Sequence, residues 1–302
     1  MRIFSSIFPV KMIRKIFITC IFTGSLFRME AQTDTTGLQD DKASYGKASL
    51  EFTSNSVYNG RKDSIVTPYL APTIGYYSKS GFYTEASLSV LLRSGSTRID
   101  MGSLSAGYDY EKGNFGAGIY AAKDFYNNSS TNVRSEVKGE ISGTVSYDFG
   151  FISTYLEPGI SFSTKSDYHI NWDIDHSFKT AGGKLEIDPS FLLEAATRNF
   201  AAAYYANRKF GRPKKKNPGQ VTVSATVKDA SALKILDYNF SIPFTYKLKK
   251  WVFGFTPNYV IPESAAEVTV VLKPAVGPLI TKIINEKLAN TFYATFSIGY
   301  RF

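Results

Sequence analysis

The last twelve residues alternate without a break. Phe292, Ala294, Phe296, Ile298, Tyr300 and Phe302 share one parity; Thr291, Tyr293, Thr295, Ser297, Gly299 and Arg301 share the other. Successive side chains point to opposite faces only in a β-strand, so a period of two held this long fixes an amphipathic strand. Tyr238, Phe240, Ile242, Phe244, Tyr246 and Leu248 repeat the pattern, and Trp251, Phe253, Phe255, Pro257, Tyr259 and Ile261 do so again. Between 133 and 149, Val137, Ile141, Val145, Tyr147 and Phe149 alternate with Arg134, Glu136, Lys138, Glu140 and Asp148. A soluble sandwich also alternates, with its apolar face inward.

Strand length and the placement of rings argue for the opposite sense, apolar toward lipid. Segments of roughly ten residues or more exceed the ~5–6 of globular sheets and match the ~9–11 of a tilted membrane strand. Aromatic residues make up 15% of the chain, and Phe82, Tyr108, Tyr110, Tyr147, Phe149, Trp251 and Phe302 fall near strand ends, where interface girdles lie. No stretch past residue 31 approaches the ~20 apolar residues of a spanning helix. In hydrocarbon every backbone group must be paired, so such a sheet must close. Short turns at 79–81, 111–113, 149–150, 181–183 and 249–250 alternate with longer connections, of which 198–233 and 262–290 are the longest. The pattern predicts an all-β, closed antiparallel transmembrane barrel over 48–302, of twelve strands, with ten or fourteen as alternatives. Residues 220–228 and 268–272 either extend strands above the membrane or add spans. Residues 279–288 carry apolar positions at helical spacing and read as a short helix over the mouth or the base of a hairpin.

Residues 1–31 read as a cleaved signal peptide: a basic start with Lys11, Arg14 and Lys15, an apolar run to Phe27, and Ala31 as the cleavage residue. Residues 32–47 then form a short periplasmic tail. Cys20, the single cysteine, falls in the apolar run, so no disulfide or thiolate chemistry remains after cleavage. The formal charge of +9 is uneven. Much of it sits in the signal and in one outer loop holding Arg208, Lys209, Arg212, Lys214, Lys215 and Lys216. That distribution gives no nucleic-acid surface, and leaves an anionic surface glycan as a partner for the loop.

The chain resembles the outer-membrane β-barrel proteins of Bacteroidota in its Glu30-Ala31-Gln32 signal end, the aromatic strands around Lys247 to Trp251, and the closing run Phe292 to Phe302. The resemblance implies the outer membrane as location and outer-membrane lipids as surroundings. It also implies assembly by the barrel-assembly machinery, with Tyr300 and Phe302 in the signal that machinery recognises. It brings no catalytic or ligand residues.

Parity places Glu85, Arg93, Arg134, Glu136, Lys138, Glu140, Asp148, Glu157, Asp188, Asp237 and Arg301 toward the lumen. Such a wall reads either as a narrow channel or uptake pore for small polar solutes, or as a cross-strand charge network filling a blocked barrel that displays its outer loops. In the open reading, Arg134→Ala and Glu140→Ala alter ion selectivity. Glu157-Pro158 and Asp188-Pro189 mark local bends, since proline cannot donate to a ladder. A third reading is a lipid-active enzyme, which would need His169 or His176. His176 and Ser177 are adjacent on a strand and point to opposite faces, so they form no catalytic dyad. The expectation is a non-enzymatic barrel without metal or cofactor.

Overall fold

The computed structural model describes residues 43–62, 65–209 and 221–302. The expected signal peptide lies outside them. Twelve antiparallel strands close into a barrel: β1 Tyr45–Thr53, β2 Tyr69–Tyr77, β3 Phe82–Leu91, β4 Arg98–Lys112, β5 Phe115–Tyr126, β6 Gly139–Asp148 and β7 Ser153–Phe162. Strand β8 runs Asp167–Asp175 and continues past a bend as Phe178–Thr180. Strand β9 comprises Leu185–Ile187 and Ser190–Ala196, β10 Lys234–Ser241 and Phe244–Leu248, β11 Trp251–Pro262 and β12 Thr291–Arg301. Each strand pairs with the next, and β12 returns to β1 with Lys47 opposite Arg301 and Thr53 opposite Thr295.

Three strands are interrupted, and prolines explain two of the breaks. Asp188-Pro189 divides β9 and Ile242-Pro243 divides β10, where the missing N–H breaks the ladder. The β6–β7 ladder skips from Ser142–Gly159 to Val145–Leu156 across Pro158. Five short turns, at 78–81, 113–114, 149–152, 181–184 and 249–250, gather at one end with both strand termini, Tyr45 and Phe302. At the β10–β11 turn Leu248 faces Trp251 and Lys249 takes a left-handed φ of 54°, as the tight hairpin requires.

Outward parity is apolar and uncovered. Ile74, Ile119 and Phe292 are 58%, 58% and 66% exposed, which in water would be an aggregating surface and in lipid is the expected one. Phe82, Tyr108, Phe115, Tyr147, Phe151, Trp251 and Phe302 ring the turn end, and Phe125, Phe162, Tyr168, Tyr259 and Phe292 the loop end. Two girdles around an apolar band are the mark of a membrane barrel.

Connections at the loop end fold into a cap. Val221–Val227, Glu267–Pro274 and Ile280–Asn285 form a separate three-stranded sheet, so 221–228 and 268–272 add no spans, and within 279–288 the segment Ile280–Asn285 is a hairpin strand. A short hairpin, Val57–Tyr58 with Arg61–Lys62, packs nearby, beside helical turns at Asn199–Ala203 and Tyr204–Lys209. Tyr58, Val133, Val137, Phe200, Tyr205, Val268 and Val270 make one buried apolar cluster. One boundary corrects the sequence reading. Val133–Glu136 is a 3-10 turn rather than the start of a strand, because the Asn132 side chain accepts from the Arg134 N–H and turns the chain inward.

Candidate functional site: the lumen and its cap

Inward parity is polar. Glu140, Ser142, Thr144, Ser146 and Asp148 of β6 face the interior with Glu157 of β7, His169, Asn171 and Asp173 of β8, and Asp237, Asn239 and Lys247 of β10. Most of this wall is closely packed, with Asn171 at 0% exposure and Glu186 and Tyr155 at 1%. The packing is uneven around the barrel. Lys47 and Ser49 on β1, Glu85 on β3, Ser105 on β4, Thr256 on β11 and Thr295 and Ser297 on β12 are only partly buried. That side of the interior is the less closely packed one.

Charges pair across neighbouring strands. Lys247 Nζ lies 3.2 Å from Glu186 Oε2 and Lys179 Nζ 3.3 Å from Glu186 Oε1; the His169 ring approaches a carboxylate too, its Nε2 3.7 Å from Glu157 Oε1. Glu194 stands directly opposite Asp237 at a bulge in the β9–β10 ladder. Arg301 lies 3.6 Å over the Tyr45 ring, and Tyr45 stacks on Tyr77 at 4.9 Å. The Tyr77 hydroxyl donates to Glu85. Asp148 Oδ1 accepts from the Gly150 N–H at 2.6 Å and so braces a turn.

Arg134 joins the cap to the wall. From its 3-10 turn it reaches Glu140 Oε2 at 2.9 Å and Asp124 Oδ2 at 3.2 Å, with the Tyr58 ring 5.8 Å away. Arg134 and Glu140 are thus partners of one another.

Three other residues assigned to the lumen wall lie elsewhere. Glu136 is in the same turn and accepts from Asn207 Nδ2 at 3.1 Å on the exposed side. Lys138 is exposed just before β6. Arg93 is exposed in the β3–β4 loop, where its carbonyl accepts from Ser96 N and Thr97 Oγ1. Asp188 is half-buried at the β9 break, its N–H donating to the Pro243 carbonyl.

A second latch holds the cap together, and no sequence pattern announces it. Glu286 accepts from Arg61 Nε at 3.0 Å and Nη2 at 2.9 Å, from the Tyr205 hydroxyl at 2.8 Å and from the Ala266 N–H at 2.8 Å. Arg61 also donates to the carbonyls of Asn59 and Ser264, and Arg198 to those of Ser264 and Ala265. Three connections therefore meet at one carboxylate: those between β1 and β2, β9 and β10, and β11 and β12. Burial alone would raise its pKa; the Arg61 guanidinium and the hydrogen bonds outweigh that and hold it below the usual carboxylate value.

Of the basic loop, Arg212, Lys214, Lys215 and Lys216 lie outside the described residues, as does the Arg208 side chain. Lys209 Nζ lies 5.1 Å over the Tyr205 ring. His176 and Ser177 do face apart: His176 Nδ1 meets the Phe151 carbonyl, while Ser177 Oγ donates to Glu186 at 2.8 Å.

A closed meander with a lipid-exposed belt, two aromatic girdles and a polar interior defines a transmembrane β-barrel of the outer-membrane kind. Solved structures similar to it include a KdgM porin, 10% identical with a TM-score of 0.45 over 85% of this chain and 98% of that one. A NanC porin is 7% identical, with a TM-score of 0.44 over 84% and 97%. LpxR from Salmonella typhimurium is 8% identical, with a TM-score of 0.41 over 84% and 99%. The sequence matches no family model and no curated protein. At such identity the class rests on this chain's own ladder and belts.

Proposed function

We propose that the protein is a non-enzymatic bacterial outer-membrane channel for small polar solutes, narrow and closed at its loop end in the conformation described. The observation that carries this is the partly buried polar strip on β1, β3, β4, β11 and β12, where the interior is less closely packed. What closes the path is a cap built from connections, held by the Arg61–Glu286 and Arg134 contacts. A polar passage behind a movable closure conducts when the closure lifts. The close packing of Asn171, Glu186 and Tyr155 favours a second reading, a permanently filled barrel that displays its cap.

Planar-bilayer recording of the refolded protein separates the two. Glu286→Gln removes the charge that gathers three connections while leaving every barrel strand intact. The channel reading expects brief, small steps from the parent protein and longer openings from Glu286→Gln. Silence from both, with heat-modifiable gel mobility confirming folded barrels, establishes the filled barrel instead.

A further inference from the structure

The lipid-facing wall carries a trough on β2 to β5. On one row Ala86 is flanked by Ile74 and Leu104; on the next, Gly102 is flanked by Leu88 and Phe125. Two small residues between four large ones leave an apolar hollow of about 500 Å³. A Cβ placed on Gly102 would touch only Leu88 Cδ2 at 3.5 Å and the Ser87 carbonyl oxygen at 3.9 Å, so the space above it is open. The wall is also irregular here. Pairing between β2 and β3 stops after Leu70–Val90 and resumes at Thr73–Ser87, across Pro72, which has no N–H to donate.

On the Ala86 row, beyond Leu104 and two residues short of Phe125, stands Lys123. It is exposed, opposite Leu104 and three residues from the end of β5, with Nζ 6.0 Å from the centre of the Phe125 ring. An ammonium on the lipid face is costly unless its stem carries it to the interface and an anion meets it there.

We propose that this trough binds a single lipid with an anionic headgroup, one acyl chain lying over Ala86 and Gly102 and the phosphate beside Lys123. Apolar shape and a cation at the flank, beside the Phe125 ring, match that molecule; a polar solute would find no partner along the floor. The site lies outside the lumen and is independent of whether the barrel conducts.

Native mass spectrometry of the full-length folded protein, in micelles doped with phosphatidylglycerol or with phosphatidylcholine of the same chains, tests it. The parent protein should retain one phosphatidylglycerol and little phosphatidylcholine. Gly102→Leu, Ala86→Leu and Lys123→Gln should each lower retention about tenfold, or about 1.4 kcal/mol, and Lys123→Arg should preserve it. Side chains added on the lipid face leave the ladder intact, and heat-modifiable mobility verifies that each variant is folded. Equal retention of both lipids by the parent, or undiminished retention by Gly102→Leu and Ala86→Leu, overturns the proposal. A barrel pair without bound lipid also overturns it and assigns the trough to a second copy.

Discussion

Arg134 has 0% exposure and two carboxylate partners, so its removal strands charge on both sides. Breaking a buried pair by deleting one member costs about 3–5 kcal/mol. Arg134→Met should therefore lower the urea midpoint at which the heat-modifiable band is lost. Adding Asp124→Asn and Glu140→Gln should recover most of the difference, because neutral amides no longer need a cation. If the single variant unfolds at the parent's midpoint, Arg134 carries no such role. Parity foresaw that Glu140, Glu157 and Asp237 point inward, since period two is a property of the strand itself. It misplaced Glu136 and Lys138 because alternation in the sequence continues through Val133–Lys138, while the Asn132 cap bends the backbone there before β6 begins at Gly139. Arg93 failed for a related reason: two residues past the strand end at Leu91, parity no longer carries a direction.

The elements of the cap couple through Glu286, and that coupling has a sign. A carboxylate whose folded pKa is depressed contributes stability above its unfolded value, roughly 4.3, and loses it as pH falls through the folded value. Arg61 and the hydrogen bonds depress Glu286 against the upward push of burial. Cap docking is thus at full strength near neutrality and weakens in acid, below the ordinary carboxylate range. Single-channel recording should show openings lengthening as pH falls through that range. Glu286→Gln, already released at neutral pH, should lack that acid step; a step of equal size in the variant would assign it to the lumen carboxylates. None of this was legible in the sequence. Arg61 and Glu286 are 225 positions apart, and no periodicity links them. The 262–290 segment was ambiguous for a local reason: Ile280, Ile283 and Ile284 suit one face of a helix and the edge of a sheet equally, and only pairing of Glu267–Pro274 with Ile280–Asn285 decides it.

For the whole molecule, closure and capping are separable. Every barrel strand has two barrel neighbours, whereas the three-stranded sheet shares no ladder with them among the described residues. The twelve-strand meander was readable because each span repeats the same two-residue rule, and turn chemistry marks where one ends and the next begins. The cap was not, because its core joins residues from four connections. That difference yields a prediction about excision. The Glu286 N–H donates to the Ala266 carbonyl at 2.9 Å, so the ends of the hairpin are already adjacent. Replacing 267–285 with a Gly-Asn turn removes two of the three outer strands and leaves all twelve barrel strands. The shortened chain should still migrate as a heat-modifiable barrel, because backbone pairing within the membrane is unchanged. It should lose the cover that Val268 and Val270 give Phe200 and Tyr205, so protease should cut the remaining cap faster than in the parent. A shortened chain that no longer gives a heat-modifiable form would show that the cap is needed to close the barrel, and that the two form one cooperative unit.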